Sequence, residues 1–454
     1  MEEKMGRQSK KKGEITAFLS LVFILLLSFI LAMMESAQIQ TAKNRKRLDV
    51  DRAVYSLFGE YQKELLEEYD VFAIEGTYET GCFEEQQLVD RMAYYGSTGI
   101  DQNISEIQLL TDQGGQAFRE QVLQFMETKT GIGLVQDVMG SAADWTEQKI
   151  EGEQAEERLE QIYMQGKEVL PDQSEDLQGL GQTGILALVL PDEFVLSGKA
   201  VVQERQVSCR ERRTGRGSFP ARIRTDGIRE KLLFQRYVMG KLNYAMNLKS
   251  DSRNLEYEVE YLLNGKESDE ANLKEVVKQI LLVRFGLNYL YLQGDSEKQR
   301  EADALAVTLV ALALHPEAKE LVKQLVLLLW AFGESTVDVR SLLAGSKVPK
   351  NKTSSNWKLP IASVFTFWFF KLQYENEEIE EGLDYGQYLQ ILLYLKDTDT
   401  ITMRMLDRVE ENLRFEKGLD FFSADQCITK MKLQNSIELW RGYTYSFPTY
   451  FGYL

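Results

Sequence analysis

The sequence predicts an α+β protein: a long N-terminal transmembrane helix that continues into a globular head with an antiparallel sheet and several packed helices. Three observations carry this reading. From Ile15 to Met34 the chain has no charge, no Gly and no Pro, and a helix of that length spans roughly 30 Å, the thickness of bilayer hydrocarbon. No Gly or Pro follows before Phe58, so the same helix can leave the lipid without a break. Strand-like segments then lie before and after a block of helical periodicity, as an α+β head requires.

The length of the apolar run separates an anchor from a cleavable signal. A secretory signal needs an apolar core of only about 7–15 residues ahead of a small-x-small cut site. Here the run is longer, and Met33-Met34-Glu35-Ser36-Ala37 follows it. A cut after Ala37 puts Glu35 where a small residue belongs. The expectation is a tail over 1–14 and a retained span over 15–34. Basic residues flank both ends, but Lys10, Lys11 and Lys12 abut the span, whereas Lys43, Arg45, Lys46, Arg47 and Arg52 begin nine residues beyond Met34. The positive-inside tendency then favours a cytoplasmic N-terminus and an extracytoplasmic C-terminal domain in the cell membrane.

Beyond the span, Val50, Val54, Leu57, Tyr61, Leu65, Tyr69 and Phe72 recur at three- and four-residue steps. That stripe predicts a helical stalk over 35–75, packed on the head along one face. Gly76 and Gly81 punctuate its end. Residues 76–190 read as a looser insert, with a strand at Ile104–Leu110, helices at Ala117–Thr128 and Ala142–Gln165, and a polar, glycine-spotted loop at Asp172–Thr183. Residues 191–454 form the head. Phe194–Val207 and Leu255–Leu263 have strand composition, and LEYEVEYLL alternates with period two. Helices are expected at Asn272–Leu292, Gln299–Leu314, Glu317–Ala331 and Tyr385–Leu395. The apolar blocks at 304–314 and 361–370 are too short to cross a bilayer and read as core. Cys427–Leu454 reads as strands that close the sheet.

Composition excludes several classes of function. The 454 residues carry a net charge of −17, which opposes nucleic acid as a main partner. Apolar and charged contents of 44% and 27% are those of a folded chain. Cys82, Cys209 and Cys427 allow one disulfide at most, and the single histidine, His315, cannot build a multi-histidine metal site. No metal, cofactor or small-molecule substrate is expected. GLGQTG at Gly179–Gly184 matches a dinucleotide fingerprint by spacing, but a polar run precedes it and the strand-like ILALVLP follows, the reverse of the required context. The acids of ENEEIEEGLD (375–384) read as a solvated face. Within an acidic protein, Arg205–Arg229 stands out for its arginines, with CRERRTGRGSFP at its centre. Arg210, Arg212, Arg213 and Arg216 are candidate contacts for an anionic partner, set against an exposed loop that balances local acids. The aromatic groups FTFWFF (365–370) and YTYSFPTYFGYL (443–454) offer either core or docking surface.

Several stretches resemble a clostridial (Firmicutes) membrane-protein family of unknown function whose members are often found near Tad/Flp pilus genes. They are ITAFLSLVFILLLSFILAMMESA (15–37), LEYEVEYLLNGKESDEANLKEVVKQILLVRFGLNYLYL (255–292), WAFGESTVDVRSLLAGSKVPKNKTSSNW (330–357) and LDYGQYLQILLYL (383–395). The resemblance implies a single-pass envelope protein, an accessory or minor pseudopilin-like component with membrane lipid and pilus or secretion-system subunits as partners. Prepilin leaders are cut after a Gly that follows basic residues, which Lys11-Lys12-Gly13 supplies, making Gly13 and Glu14 the candidate processing site. Glu14 stands directly after that Gly and the fifth residue is Phe18, a departure from the usual Glu at that place. A membrane-anchored cell-wall or surface binding module is the alternative; an envelope hydrolase with paired carboxylates is a third reading.

Overall fold

The structure, a computed structural model, describes residues 2–129, 135–169, 184–250, 252–367 and 382–453. The first helix, α1, is continuous over Glu2–Phe58. Among the described residues it is the one helix long and apolar enough to cross a membrane, and no residue of its apolar window is buried against the chain. A membrane anchor and a signal sequence both fit those properties. Ser20 and Ser28 return their hydroxyls to the Ala17 and Leu25 carbonyls at 2.8 Å, so these polar groups are satisfied within the helix, as hydrocarbon demands.

The stripe expected to run unbroken through Phe72 is divided at Gly59. Its N–H meets the Tyr55 and Ser56 carbonyls at 3.1 Å, the chain turns, and Gln62 donates to the Ala73 carbonyl at 2.8 Å. A short helix, α2 (Lys63–Tyr69), follows. Val50, Ala53, Val54, Leu57 and Phe58 enter one apolar cluster, while Leu65 and Tyr69 enter another.

Next come β1 (Ile74–Glu75), α3 (Glu85–Met92), β2 (Asp101–Leu109), α4 (Asp112–Lys129), α5 (Val135–Val169) and α6 (Ile185–Val189). They are followed by α7 (Ile228–Lys241), α8 (Glu258–Asn264), α9 (Asp269–Gly294), α10 (Ser296–Ala313), α11 (Lys319–Leu343), α12 (Tyr385–Leu395) and α13 (Thr398–Lys417). Finally β3 (Cys427–Leu439) and β4 (Tyr443–Gly452) complete an antiparallel four-stranded sheet. β3 is its centre: Leu433 pairs with Ile104 of β2 on one side and Thr449 of β4 on the other, and β1 bonds to its first residues. The α+β class is therefore observed.

Two cores result. The smaller joins the end of α1 and α3 to the sheet, through Val54, Leu57, Leu88, Ile104, Met431 and Phe447. The larger is helical and surrounds α9 and α11. Residues 76–190 contribute to both, since α5 buries Ala142, Trp145 and Ala155 in the helical core. α5 crosses α9 at Gly152 and Gly286, where an added Cβ on Gly152 meets the Leu282 carbonyl oxygen at 2.1 Å; only glycine permits that approach.

The helical core is also heavily charged. Arg284 of α9 donates to Asp338 of α11 at 2.7 and 2.9 Å and to the Pro349 carbonyl at 2.9 Å. Lys352 donates to Asp338 at 2.7 Å and to Glu334. Glu334 in turn accepts the Lys358 and Leu359 N–H groups. These four side chains are buried and balance two cations against two anions, so each removed partner leaves a charge in low dielectric.

Two expected strands are absent. Phe194–Val207 is extended but makes one bridge, Ala200 to Ser268, before a single 3-10 turn. Leu255–Leu263 holds the helix α8 instead, and ILALVLP holds α6. The alternating acids of LEYEVEYLL misled because two of the three, Glu258 and Glu260, are buried. Glu258 accepts the Asn243 N–H at 2.8 Å and pairs with Arg253. Glu260 accepts from the Ala245 N–H (3.0 Å) and the Tyr385 hydroxyl (2.8 Å). The helices α7 and α13 went unread. The loop at 172–183, the acids 375–381, Gly179 of the glycine motif and Trp368–Phe370 lie outside the described residues.

Burial raises the Glu260 carboxyl to about 7, against the hydrogen bonds that would lower it. Its unfolded value is near 4.5, so its contribution is complete below that pH and is lost as pH rises through about 7. The full loss is roughly 3 kcal/mol. Glu260→Gln is expected to flatten this decline, read as denaturant unfolding free energies at acidic and alkaline pH in detergent. Lys352→Met is expected to cost about 3–5 kcal/mol in the same assay, because Glu334 and Asp338 then share one cation.

Candidate functional site

The stalk meets the sheet along β4. Tyr445, Phe447, Phe451 and Tyr453 alternate with outward residues, the period that puts one set on the face toward α1. Lys43 lies 4.7 Å from the Tyr445 ring, and the Arg47 guanidinium 5.4 Å from Tyr445 and 5.5 Å from Phe447. Higher up, Tyr55 and Phe58 pack on Phe451 at 6.0 and 4.5 Å, and Phe58 on Tyr453 at 5.1 Å. The Tyr453 hydroxyl donates to the Phe58 carbonyl at 2.5 Å, and burial pushes its phenol pKa upward. β4 therefore runs alongside α1 in the same direction, with matched rises. Lys43 to Tyr55 is roughly 18 Å of helix, and Tyr445 to Phe451 is roughly 20 Å of strand.

The end of α1 is locked by Glu60. It accepts from Arg91, from Tyr95 at 2.5 Å and from Tyr78 at 3.1 Å. Burial opposes its ionisation, yet these donors hold the carboxyl below its usual value. Beside this joint opens a cleft of about 630 Å³ whose lining includes Tyr55, Tyr61, Phe72, Gln124, Phe451 and Tyr453. Phe72 stacks on Tyr453 at 5.5 Å and meets the Tyr61 edge at 5.1 Å.

The arginine segment straps the two cores together. Arg210 donates to Glu410 at 2.6 and 2.9 Å, to Asp425 at 2.5 Å and to Ser423 at 2.8 Å. Burial alone would lower the guanidinium, but the two carboxylates outweigh it and raise it. Asp425 also accepts the Arg213 N–H at 3.0 Å; against its burial, these donors hold it below the ordinary carboxylate value. Arg216 pairs with Glu85 and bridges to Ile107 of β2, while the Arg213 side chain lies 4.3 Å over Phe83. Arg212 is exposed. The structure thus brings Arg210 and Arg216 onto acids of their own chain and leaves Arg212 and Arg213 at the surface. Gly13 and Glu14 lie within α1, on helical backbone.

The stalk–sheet joint was only half legible in the sequence. The stripe of α1 and the alternation of 443–454 were both visible, but nothing local said that each was the other's partner. Among the described residues, no group of three or more His, Cys, Asp or Glu is placed to hold a metal ion. The buried acids Glu258, Glu260, Asp269 and Asp407 each accept hydrogen bonds from neighbouring backbone or side-chain donors. Removal of a buried partner tests the strap. Arg210→Ala is expected to cost about 3 kcal/mol or more, and Arg212→Ala to stay within about 0.5 kcal/mol of the parent, both read by denaturant unfolding.

No curated protein and no solved structure matches the chain. A family model does, over residues 164–439, which takes in the strap, most of the helical core and β3 but leaves out α1, β1, β2 and β4. Its description assigns no activity. That match covers more than half of the 454 residues, and the chain belongs to the family of unknown function DUF5702.

Proposed function

We propose that this is a single-pass cell-envelope protein that acts by protein–protein association, as an accessory or minor pseudopilin-like component of a Tad/Flp-type pilus or secretion system. In this reading α1 stays in the cell membrane, its N-terminus is cytoplasmic and the head is extracytoplasmic. One observation carries it: α1 passes from its apolar window into the core of the head without a break. A helix coupled rigidly to a sheet transmits the position of a membrane neighbour to the head, and the reverse; a flexible linker would not. The apolar face of α1 offers packing surface to other membrane helices, and Arg212 and Arg213 offer contacts to an acidic partner subunit.

The aromatic cleft favours a second reading, a membrane-anchored cell-wall binding module. Exposed tyrosine faces with a polar rim suit the apolar faces of sugar rings. Recovery after mild detergent separates the two: pilus or secretion subunits are expected with the first, and wall polymer alone with the second. A C-terminal alkaline phosphatase fusion is expected to be active. An inactive one, beside a fluorescent cytoplasmic-reporter fusion, reverses the topology. The first residue of the mature chain tests processing, with Glu14 supporting a cut after Gly13 and Met1 or Glu2 opposing it.

A further inference from the structure

Because β4 climbs beside α1 in the same direction, the level of its lower, N-terminal end relative to the apolar window follows from the two rises. Tyr445 sits beside Lys43. Tyr443, two residues earlier in the strand, lies roughly 7 Å lower, which is four to five helical residues, at the level of Ile39. The turn Trp440–Gly442 that joins β3 to β4 lies at or below that level. α1 carries the mark of this approach: Glu35 and Ile39 are half-buried, on the face that continues through Lys43, Lys46 and Val50, while Ser36, Ala37, Gln38 and Gln40 are exposed. The apolar run ends at Met34. Residues 35–39 occupy the next roughly 2–8 Å of helix, which is the depth of the headgroup layer on one side of a bilayer.

Two large aromatic side chains stand at this end of the sheet with most of their surface exposed: Trp440 is 62% exposed and Tyr443 60% exposed. Such amphipathic rings are favoured at the membrane–water interface. Directly above them α1 presents Lys43, Arg45, Lys46 and Arg47, in a protein whose net charge of −17 would otherwise repel anionic lipid. Each such cation near the surface contributes about 1 kcal/mol toward anionic headgroups.

We propose that the β3–β4 turn docks on the headgroup layer of the bilayer that holds α1, with Trp440 and Tyr443 seated in the interface and the basic ring of the stalk drawn to anionic lipid. The occupant of this surface is lipid. The head then rests on the membrane at a defined tilt instead of standing off it on a stalk. The proposal depends on α1 being a retained anchor.

The test uses the full-length protein in vesicles of phosphatidylcholine with phosphatidylglycerol, and in phosphatidylcholine alone. Lipids brominated near the headgroup report tryptophan contact by quenching. The chain has five tryptophans, and Trp145 and Trp330 are buried in the helical core. Wild-type quenching is expected to exceed that of Trp440→Phe by about one-fifth of the total emission. The double variant Arg45→Gln, Lys46→Gln is expected to lose at least half of the extra quenching that phosphatidylglycerol brings. Equal quenching of wild type and Trp440→Phe, in a protein that co-floats with the vesicles and resists alkaline extraction, overturns the docking alone. Failure to co-float overturns the anchor and the docking with it.

Discussion

The architecture depends on one uninterrupted helical hydrogen-bond ladder. α1 holds its geometry from the apolar window to Phe58, and its upper turns are buried by Val50, Ala53, Val54, Leu57 and Phe58 in the same cluster as the sheet. Full burial of a large aliphatic or aromatic side chain contributes about 1.5–3 kcal/mol, so several such residues on one face resist rotation of the helix out of its groove. The stop is equally defined. Gly59 releases the chain into a turn, and Glu60, one residue on, gathers three donors from the α3 region. The helix can neither slide nor unwind at that end without breaking an ionic contact.

The second organising device is charge placed where apolar residues would be expected. Arg284, Glu334, Asp338 and Lys352 bind α9, α11 and the loop after α11 into one unit, with backbone N–H groups of 358–359 absorbing the remaining valence. An apolar core of the same volume would tolerate sliding between helices; a balanced ionic set with directed bonds has one arrangement. All four residues lie within the span shared with the family, as do Arg210 and its partners. The sheet that receives α1 is assembled largely from segments outside that span.

How much of this was legible follows from where polarity sits. Segments whose apolar residues face a core and whose polar ones face water were read well: α9, α10, α12, β3 and β4 agree with their expected bounds within a few residues. α8 failed because Glu258 and Glu260 are buried beside Tyr261 and Leu262, which turns a helix into an apparent strand alternation. α13 was hidden for the same reason, with Asp407, Arg408, Glu410 and Asn412 all buried among its apolar positions. Its cap residues, Asp397 and the left-handed Gly418, were the signal that could have found it. At the site, Arg210 and Arg212 look alike in sequence. Only the fold separates an arginine between two carboxylates from one in solvent.

The sheet joins strands that are far apart in the chain: Ser105 of β2 bonds to the Lys432 carbonyl across 327 residues. During synthesis the ribosome must therefore deliver the entire helical core before β3 exists. Until then Val54, Leu57 and Ile104 lack the cover of β3 and β4, although α1 has already emerged. The helical core can collapse in the meantime around its own contacts, whereas the lobe that receives α1 must wait. For that interval the nascent chain carries an open apolar groove, and a holdase is the natural shelter for it.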